Sequence, residues 1–147
     1  MITYRFLTPE DVSTVVEFAY LHAPEIPSWG EVDKDHLYKH LMGMVLDPMR
    51  FMLGVFLNGE FKGGLIGEIT PTWFNLNYES QDRTIYLHKD VRGKGVALAL
   101  FEQYDKWVMS HTFVKQGGLQ TTSGVDLSPL VSKLGYVKVG TTFIKRY

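Results

Sequence analysis

The stretch that decides the fold is Ile85-Tyr86-Leu87-His88-Lys89-Asp90-Val91-Arg92-Gly93-Lys94-Gly95-Val96-Ala97. Its first residues belong to an extended segment, Thr84 to His88, and a strongly amphipathic helix begins near its end. A strand that runs through a glycine-bearing loop into a helix leaves backbone N–H groups unpaired beside the positive end of the helix dipole. Such a concavity binds phosphate, so residues 92 to 97 are predicted to form an anion site.

The residues of this loop have separable roles. Gly93 and Gly95 can take positive φ and carry no Cβ, so the backbone can turn tightly and approach a ligand closely. Arg92 and Lys94 add positive charge, and Asp90 is placed to hold one of them. The alternative is an ordinary strand-to-helix turn with solvated basic side chains, because short glycine motifs often match by chance. The order of the neighbouring helices and strands is needed to distinguish an anion site from an ordinary turn.

Composition indicates one globular domain over residues 1–147. Apolar residues make up 45% of the chain and charged residues 21%, which is ordinary for a folded domain with a substantial core. The 15 basic and 16 acidic side chains give a net charge of -1. This balance provides no general attraction for nucleic acid or acidic membranes, so neither is expected as a partner.

The chain has no cysteine, which excludes disulfides, thiolate metal sites and a covalent thioester on the protein. Residues 1–7 lack the apolar region of a signal peptide, and no apolar run approaches the roughly 20 residues of a membrane-spanning helix. We therefore expect a cytoplasmic protein.

Periodicity and turn signals give the order of the elements. The segment 2–7 is β-prone, and Thr8-Pro9-Glu10-Asp11 is a typical helix start. Asn58-Gly59 is the dipeptide favoured in two-residue hairpin turns. The predicted order is strand, helix, helix, three antiparallel strands, helix, strand, short helix, and a terminal strand or bent hairpin about Gly140. The three antiparallel strands are predicted over residues 50–57, 61–70 and 83–88, the fourth strand over 117–122, and the last over 136–147.

With this order, the chain resembles the GCN5-related N-acetyltransferases (GNAT). The family signature is Arg or Gln, two residues, Gly, one residue, and then Gly or Ala between a strand and a helix, and Arg92, Gly95 and Ala97 satisfy it. Lys89 stands where a proline is common. The run Lys133 to Tyr136 resembles the Lys-Leu-Gly-Phe run that closes the family's last helix. The resemblance implies an α/β (α+β) fold with a mixed, mostly antiparallel sheet, flanked by helices and splayed at the acetyl-CoA site.

The resemblance also implies how acetyl-CoA is held. Its pyrophosphate is expected on the N–H groups of the loop and helix start, formed by Arg92, Gly93, Lys94, Gly95, Val96 and Ala97. The pantetheine arm is expected to pair with the backbone near Leu87, with His88 beside it, because an open strand edge can accept an extended amide-bearing ligand as another strand. No metal is expected.

The catalytic residues are not evident from this resemblance. Many family members use a tyrosine in the last helix to protonate the leaving thiolate, and Val131 stands at that position. Others use an acidic residue on the preceding strand, where this chain has Gln120. Neither side chain can exchange a proton in this reaction.

Four other residues are candidates for proton transfer, and each has a simpler alternative. Glu68 either lines the acceptor site or is a solvent-facing strand residue. Tyr86 either acts as an acid or packs in the core on the face opposite Ile85 and Leu87. His88 has a pKa range suited to proton transfer, or it only contacts cofactor or solvent. Asp126 is better explained as the cap of the short helix.

Loop aromatics are candidates for the acceptor site. Trp29, Trp73, Phe74 and Tyr78 are predicted to border the acceptor groove, or instead to cover the core or form a dimer contact. Four acidic residues near the first of them could attract a cationic amine, although helix-start charge explains the last two equally well. They are Glu25, Glu31, Asp33 and Asp35.

His36 and His40 have the spacing of two ligands on one helix face. The adjacent glutamate of a zinc-protease helix is missing, which favours a solvated face.

The sequence therefore predicts an enzyme that moves acetyl from acetyl-CoA directly to a primary amine, either a small molecule or a peptide, in a ternary complex. The alternative is a non-catalytic acetyl-CoA-binding or partner-binding module that keeps the fold. Exposed aromatics and a terminal strand are compatible with a homodimer. The acceptor loops of this family share no code, so the sequence does not identify the amine.

Overall fold

The computed structural model describes residues 1–26, 29–120 and 126–147 of the chain, and its centre is a five-stranded sheet. The strands follow one another across the sheet in chain order, and neighbours are antiparallel except for the last pair, which is parallel. The strands are β1 (Ile2–Phe6), β2 (Arg50–Leu57), β3 (Glu60–Pro71), β4 (Tyr78–Leu87) and β5 (Val114–Gly118). The helices are α1 (Val12–His22), α2 (Lys34–Val45), α3 (Val96–Met109) and α4 (Ser128–Val131). A mixed, mostly antiparallel sheet with flanking helices is therefore confirmed.

Local signals account for where several elements begin and end. Asn58 and Gly59 both have positive φ, 50° and 83°, as the tight turn between β2 and β3 requires. Asp33 caps α2 by accepting a hydrogen bond of 3.0 Å from the backbone N–H of His36. Asp11 accepts from the N–H of Thr8 at 2.7 Å just before α1. These turn and cap residues were all recognisable in the sequence.

The two faces of the sheet bury separate cores. Helix α3 covers one face, where Phe51, Leu65, Leu100 and Phe101 have no exposed surface. Helices α1 and α2 cover the other face, with Val12 and other apolar residues beneath them. Each fully buried side chain of this size contributes about 1.5–3 kcal/mol relative to an exposed one. The α3 core therefore fixes the helix whose first turn carries the predicted anion site.

Strands β4 and β5 separate halfway along β4. Their pairing extends only from Tyr78↔Val114 to Gln81↔Gly118. Immediately beyond, the side chain of Asp82 accepts a hydrogen bond of 2.7 Å from the backbone N–H of Gln120. The second half of β4 is thus without a β5 neighbour, and the sheet is splayed there as predicted.

Two strand predictions need correction. Strand β4 begins at Tyr78 rather than at residue 83, because backbone pairing with β3 and β5 extends through a polar stretch that has no apolar alternation. The strand or hairpin predicted over residues 136–147 is wrong, since this part of the described chain contains no strand. Its alternating pattern leaves Val139 98% exposed, because no neighbouring strand supplies the hydrogen bonds that an extended segment needs.

Strand β5 also differs in its bounds from the prediction of 117–122. It runs from Val114 to Gly118, and the last residues of the predicted strand, 121 and 122, lie outside the described part of the chain.

Candidate active site

The loop before α3 has the backbone geometry of an anion cradle. Gly93 and Gly95 have φ of 72° and 74°, in the left-handed region that favours glycine. Gly95 is the N-cap of α3, and no side chain caps the helix there. A Cβ added to either glycine would meet no atom within 4 Å. The start of a 14-residue helix is therefore without a side-chain cap, next to a loop whose glycines border open space.

The two basic side chains of the loop are anchored to backbone carbonyls. The Nε of Arg92 donates to the Leu87 carbonyl at 2.7 Å, and the Nζ of Lys94 donates to the Asp90 carbonyl at 3.0 Å. Asp90 thus holds Lys94, as the sequence suggested, but through its main chain. The loop gathers two positive charges beside uncapped N–H groups, which is the electrostatic environment that phosphates prefer.

The cradle residues at the start of α3 offer mainly their backbone. Val96 is buried, with 2% of its surface exposed, and Ala97 packs against the α3 core. Their side chains hold the helix against the sheet, so only their N–H groups can serve a ligand. Because both side chains pack against the core, the orientation of the first turn of α3 is fixed relative to the sheet.

The open half of β4 leads directly to the cradle. The N–H of His88 donates to the Lys62 carbonyl at 2.8 Å, toward β3. Because antiparallel strands alternate their bonding direction, the polar groups of Leu87 and Ile85 point to the opposite, unpaired edge. From Asp82 to Leu87 this edge is about 17 Å long at the usual rise per residue. This edge offers backbone N–H and C=O groups with which an extended ligand can form strand-like hydrogen bonds.

Tyr86 lies at the centre of an acid–base cluster on the other face of β4. Its hydroxyl donates to the carboxylate of Glu25 and lies 3.2 Å from His22 Nδ1. His22 Nδ1 is also 3.0 Å from Oε2 of the same carboxylate. We assign the His22 proton to Nδ1 because that nitrogen faces the carboxylate, and this tautomer leaves Nε2 with a free lone pair. The arrangement can hold a neutral imidazole ready to accept a proton.

The environment of this cluster shifts the pKa values of its oxygen acids in opposite directions. Burial, reinforced by the hydrogen bond to Glu25, raises the pKa of Tyr86 to about 12. Hydrogen bonds from Tyr86 and then from His22 lower the pKa of Glu25. Tyr86 is therefore a neutral hydrogen-bond donor at neutral pH, and Glu25 is an anion that orients its two partners.

His88 extends the cluster toward the loop without joining it by a hydrogen bond. Its ring centroid lies 5.4 Å from that of His22. Its Nδ1 accepts from the Asp90 N–H at 3.2 Å and caps the short turn before the cradle. Because this nitrogen already accepts a hydrogen bond within its own turn, a structural role for His88 is favoured over proton transfer to a substrate.

Glu68 is buried, and its contacts indicate a structural role rather than proton transfer. Only 1% of its surface is exposed, which corrects the expectation of a solvent-facing strand residue. Its carboxylate pairs with Arg50 on β2 and lies 2.5 Å from a guanidinium nitrogen of Arg83 on β4. Two guanidinium groups favour the ionised carboxylate, so Glu68 is better suited to holding three strands together than to accepting a proton.

A second polar cluster lies where β4 and β5 separate. Besides the Asp82 contact with Gln120, Tyr136 donates to Oδ1 of Asp105 at 2.6 Å. Val131 packs against the α3 core close by. Asp126 accepts from the N–H of Ser128 at 2.9 Å, but the N-cap of α4 is Leu127, so Asp126 lies one residue before the cap position predicted for it. Val131 and Gln120 still have no acidic or basic group, so these contacts do not make either of them a proton donor or acceptor in the reaction.

The loop aromatics do not form one acceptor surface. Trp29 lines a cavity beneath α1 together with Tyr86. Tyr78 makes an edge-to-face contact with Phe113, with ring centroids 5.1 Å apart, at the far end of β4, about 27 Å along the strand from Tyr86. Trp73 lies beyond it in the β3–β4 connection and is 92% exposed. Phe74 contacts Trp73 there. Only Trp29 is therefore placed beside the acid–base cluster.

The described residues contain neither a metal-binding cluster nor a membrane-spanning helix. No group of three or more His, Cys, Asp or Glu side chains within residues 1–26, 29–120 and 126–147 is placed to hold a metal ion. His36 and His40 stack in parallel with centroids 6.4 Å apart. No helix in the same ranges is both long and apolar enough to cross a bilayer.

Sequence reasoning missed two residues of the site. His22 ends α1 as an isolated histidine, and nothing in its local pattern announces a partner 64 residues away on β4. Asp82 lies in a polar stretch that has no strand periodicity. The importance of Asp82 comes from its position just beyond the last β4–β5 pair. That position could be recognised only once the end of β5 was known.

Comparison with protein-family models and with characterised protein sequences finds no match. Solved structures do match. A predicted acetyltransferase with acetyl-CoA from Clostridium acetobutylicum has a TM-score of 0.78 at 14% identity, over 99% of this chain and 96% of that one. For glucosamine-6-phosphate N-acetyltransferase from Arabidopsis thaliana the TM-score is 0.76 at 13% identity, over 100% and 99%. An acetyltransferase of the GNAT family from Streptococcus pneumoniae gives 0.72 at 20% identity, over 95% and 87%. The chain therefore has the fold of the GNAT acetyltransferases.

Proposed function

We propose that the protein transfers an acetyl group from acetyl-CoA directly to a primary amine. The observation that carries this proposal is the continuity of the open β4 edge with the uncapped, glycine-bearing start of α3. One surface thereby offers ladder groups for an extended amide-bearing arm and N–H groups for its pyrophosphate. Acetyltransferases among the solved structures of the same fold support the proposal.

The residues of the donor site fit acetyl-CoA. The open space above Gly93 and Gly95 admits a pyrophosphate, and the first N–H groups of α3 would hold it. Ile85 and the N–H of Leu87 would offer their backbone groups to the pantetheine amides, while the Leu87 carbonyl already accepts a hydrogen bond from Arg92. The bound thioester would supply an acyl carbon activated toward nitrogen attack. Because the chain has no cysteine, we propose that this attack comes from the acceptor itself in a ternary complex.

We assign proton removal from the acceptor to His22. An ammonium ion cannot attack, so one proton must leave nitrogen before the C–N bond forms. The free Nε2 of His22 would accept that proton, while Glu25 holds the opposite nitrogen and stabilises the resulting imidazolium. Tyr86 fixes the carboxylate through its own hydrogen bond. Glu25 and Tyr86 are thus positioning residues.

The remaining proton balance needs no tyrosine on α4. When the C–N bond forms and the C–S bond breaks, the attacking nitrogen still carries one excess proton. The departing thiolate takes up one proton, so the two changes cancel. Val131 at the family's tyrosine position is consistent with a reaction in which the nitrogen's second proton passes to sulfur.

The proposal is tested by incubating the protein with acetyl-CoA and a panel of primary amines. Amine-dependent release of free CoA, with a mass increase of one acetyl group on the amine, is the expected result. Isothermal titration with acetyl-CoA provides the second measurement. Tight binding without turnover on any amine would leave only a binding module, and no binding at millimolar acetyl-CoA would refute the donor site.

A further inference from the structure

A small apolar cavity lies between α1 and the sheet, on the face opposite α3. Its walls include Phe18, Ile26 and Trp29 from the first helix and the loop after it, and its floor includes Ile66 and Thr84 from β3 and β4. These side chains present mainly carbon atoms, and the exceptions are the Thr84 hydroxyl and the Trp29 indole N–H. The cavity therefore favours an apolar group.

Burial along β3 shows that this cavity is open. Leu65 points into the α3 core and has no exposed surface. Ile66, its neighbour in the middle of the same strand, lies among the α1-side apolar residues and is only partly buried. An isoleucine at the centre of a five-stranded sheet is normally covered on both sides. Here α1 leaves part of the sheet face uncovered.

The acid–base cluster borders this cavity. His22 and Tyr86 are among its lining residues, and the Glu25 carboxylate contacts both of them from the solvent side. The other polar groups nearby are the Arg92 guanidinium, 5.5 Å over the Tyr86 ring, and the imidazole of His88. An amine whose carbon chain entered the cavity would place its nitrogen near the carboxylate and His22.

We propose that this cavity binds the substituent of the acceptor, and that the acceptor is a primary monoamine with a compact aliphatic group. The inference rests on the proposed acetyl transfer and specifies its substrate class. A second ammonium group or a hydroxyl would lose most of its hydration in the cavity, where Thr84 and Trp29 are the only described lining residues with polar side-chain atoms apart from the acid–base cluster. Polyamines and amino sugars are therefore disfavoured.

The size of the cavity selects among apolar amines. Its volume is about 60 Å³. An engineered cavity of about 150 Å³ lined by similar side chains accepts benzene, so an aromatic ring does not fit here. A branched group of three or four carbons matches the space better. Each buried methylene improves binding about fourfold by the usual transfer free energy.

The position of the cavity suits direct transfer from the donor site. Thr84 and Tyr86 line the cavity and belong to β4. The edge of β4 that faces β5 is the one proposed to bind the pantetheine. Neighbouring strands in a sheet are about 4.8 Å apart, so a single strand width separates the two sites. An amine held beside Tyr86 is thus within reach of an acyl group carried along that edge.

The experiment compares kcat/KM for isobutylamine, ethanolamine, 2-phenylethylamine and spermidine with acetyl-CoA. Isobutylamine is expected to exceed each of the others by at least tenfold. Ile66→Phe fills the cavity and should lower kcat/KM for isobutylamine at least tenfold, whereas Ile66→Ala should improve 2-phenylethylamine relative to isobutylamine. Ile2→Ala changes a partly buried isoleucine of β1 outside the cavity and should leave the order of the amines unchanged.

Direct binding separates this inference from the proposed function. Ligand-observed NMR should detect isobutylamine on the protein without acetyl-CoA, and Ile66→Phe should abolish the signal in a variant whose melting temperature shows that it is folded. Equal turnover of ethanolamine or spermidine, with no change in the Ile66 variants, would refute the substrate class while acetyl transfer stands. Isobutylamine binding without any turnover would refute the transfer but support the cavity. Absence of isobutylamine binding and turnover would refute the cavity.

Discussion

Tyr86 on β4 donates a hydrogen bond to Glu25, which lies 61 residues earlier in the loop after α1. The contact connects the strand of the donor site to the helix that covers the other sheet face. His22 completes it through the same carboxylate oxygen. A hydrogen-bonded cluster of acid and base groups is thereby placed one strand width from the open β4 edge.

Replacing His22 by glutamine tests the proton acceptor. Loss of a general base costs about 10²–10⁴-fold, so kcat should fall by at least a hundredfold while the Kd for acetyl-CoA stays unchanged. The rising limb of the pH profile of kcat/KM should disappear with it. Glu25→Gln should lower kcat less, because the imidazole keeps its proton-accepting nitrogen but loses the carboxylate that orients it. An unchanged pH profile in His22→Gln would contradict the assignment.

Substitution of Gly95 tests the anion cradle. Gly95→Val introduces a side chain at φ 74° and into the open space above the loop, so acetyl-CoA affinity should fall more than a hundredfold in isothermal titration. The left-handed conformation costs a non-glycine residue roughly 1–2 kcal/mol in stability. Gly59→Val provides the matched control, because Gly59 has φ 83° and equally open surroundings in the β2–β3 turn. Equal affinities in the two variants would refute the cradle.

Glu68→Gln separates a structural role from a catalytic one. Removing the charge breaks both ion pairs of a buried carboxylate and leaves the partly buried Arg50 with Asp47 as its remaining acidic partner, so the free energy of unfolding should fall by about 2–4 kcal/mol. Urea denaturation measures this loss. At a temperature where the variant is folded, kcat should remain within about threefold of the wild type. A hundredfold fall in kcat without loss of stability would instead make Glu68 the proton acceptor.

Asp11 should make stability depend on acid pH. The hydrogen bond from Arg5, at 2.7 Å, is the main cause that holds the pKa of Asp11 well below its usual range. A folded-state pKa below the unfolded value means that the stabilisation is present above about pH 4 and lost as pH falls below it. Asp11→Asn should cost roughly 1 kcal/mol at pH 7, the usual size of a lost cap. The difference from wild type should shrink progressively as pH falls below about 4 in chemical denaturation, and a constant difference would argue against the ion pair.

Part of the site could be read from local sequence because its causes are local. Positive φ at Gly93 and Gly95 reflects the absence of a Cβ, and the uncapped start of α3 follows from the glycine that precedes it. Alternation along β4 correctly placed Tyr86 on the face opposite Ile85 and Leu87. The roles proposed for these residues toward a ligand remain predictions.

The remaining contacts depend on register, which the sequence does not display. A register shift between Ile66 and Gly67 makes Arg83 an extra residue of β4, and the guanidinium of this residue pairs with Glu68. A one-residue change in pairing reverses the faces of a strand, so the burial of Glu68 could not be predicted from its neighbours. The same reasoning applies to residues 136–147, whose alternation predicted a strand that has no partner.

The sequence by itself determined the order of the elements as far as α4, the hairpin turn at Asn58 and Gly59, and the loop that begins α3. Each follows from backbone preferences within a few residues. Only the tertiary structure decided that His22 and Glu25 meet Tyr86, that β5 leaves half of β4 open, and that α1 leaves a cavity over Ile66. These features depend on how far strands pair and where a helix crosses the sheet, and both are set by packing between distant segments.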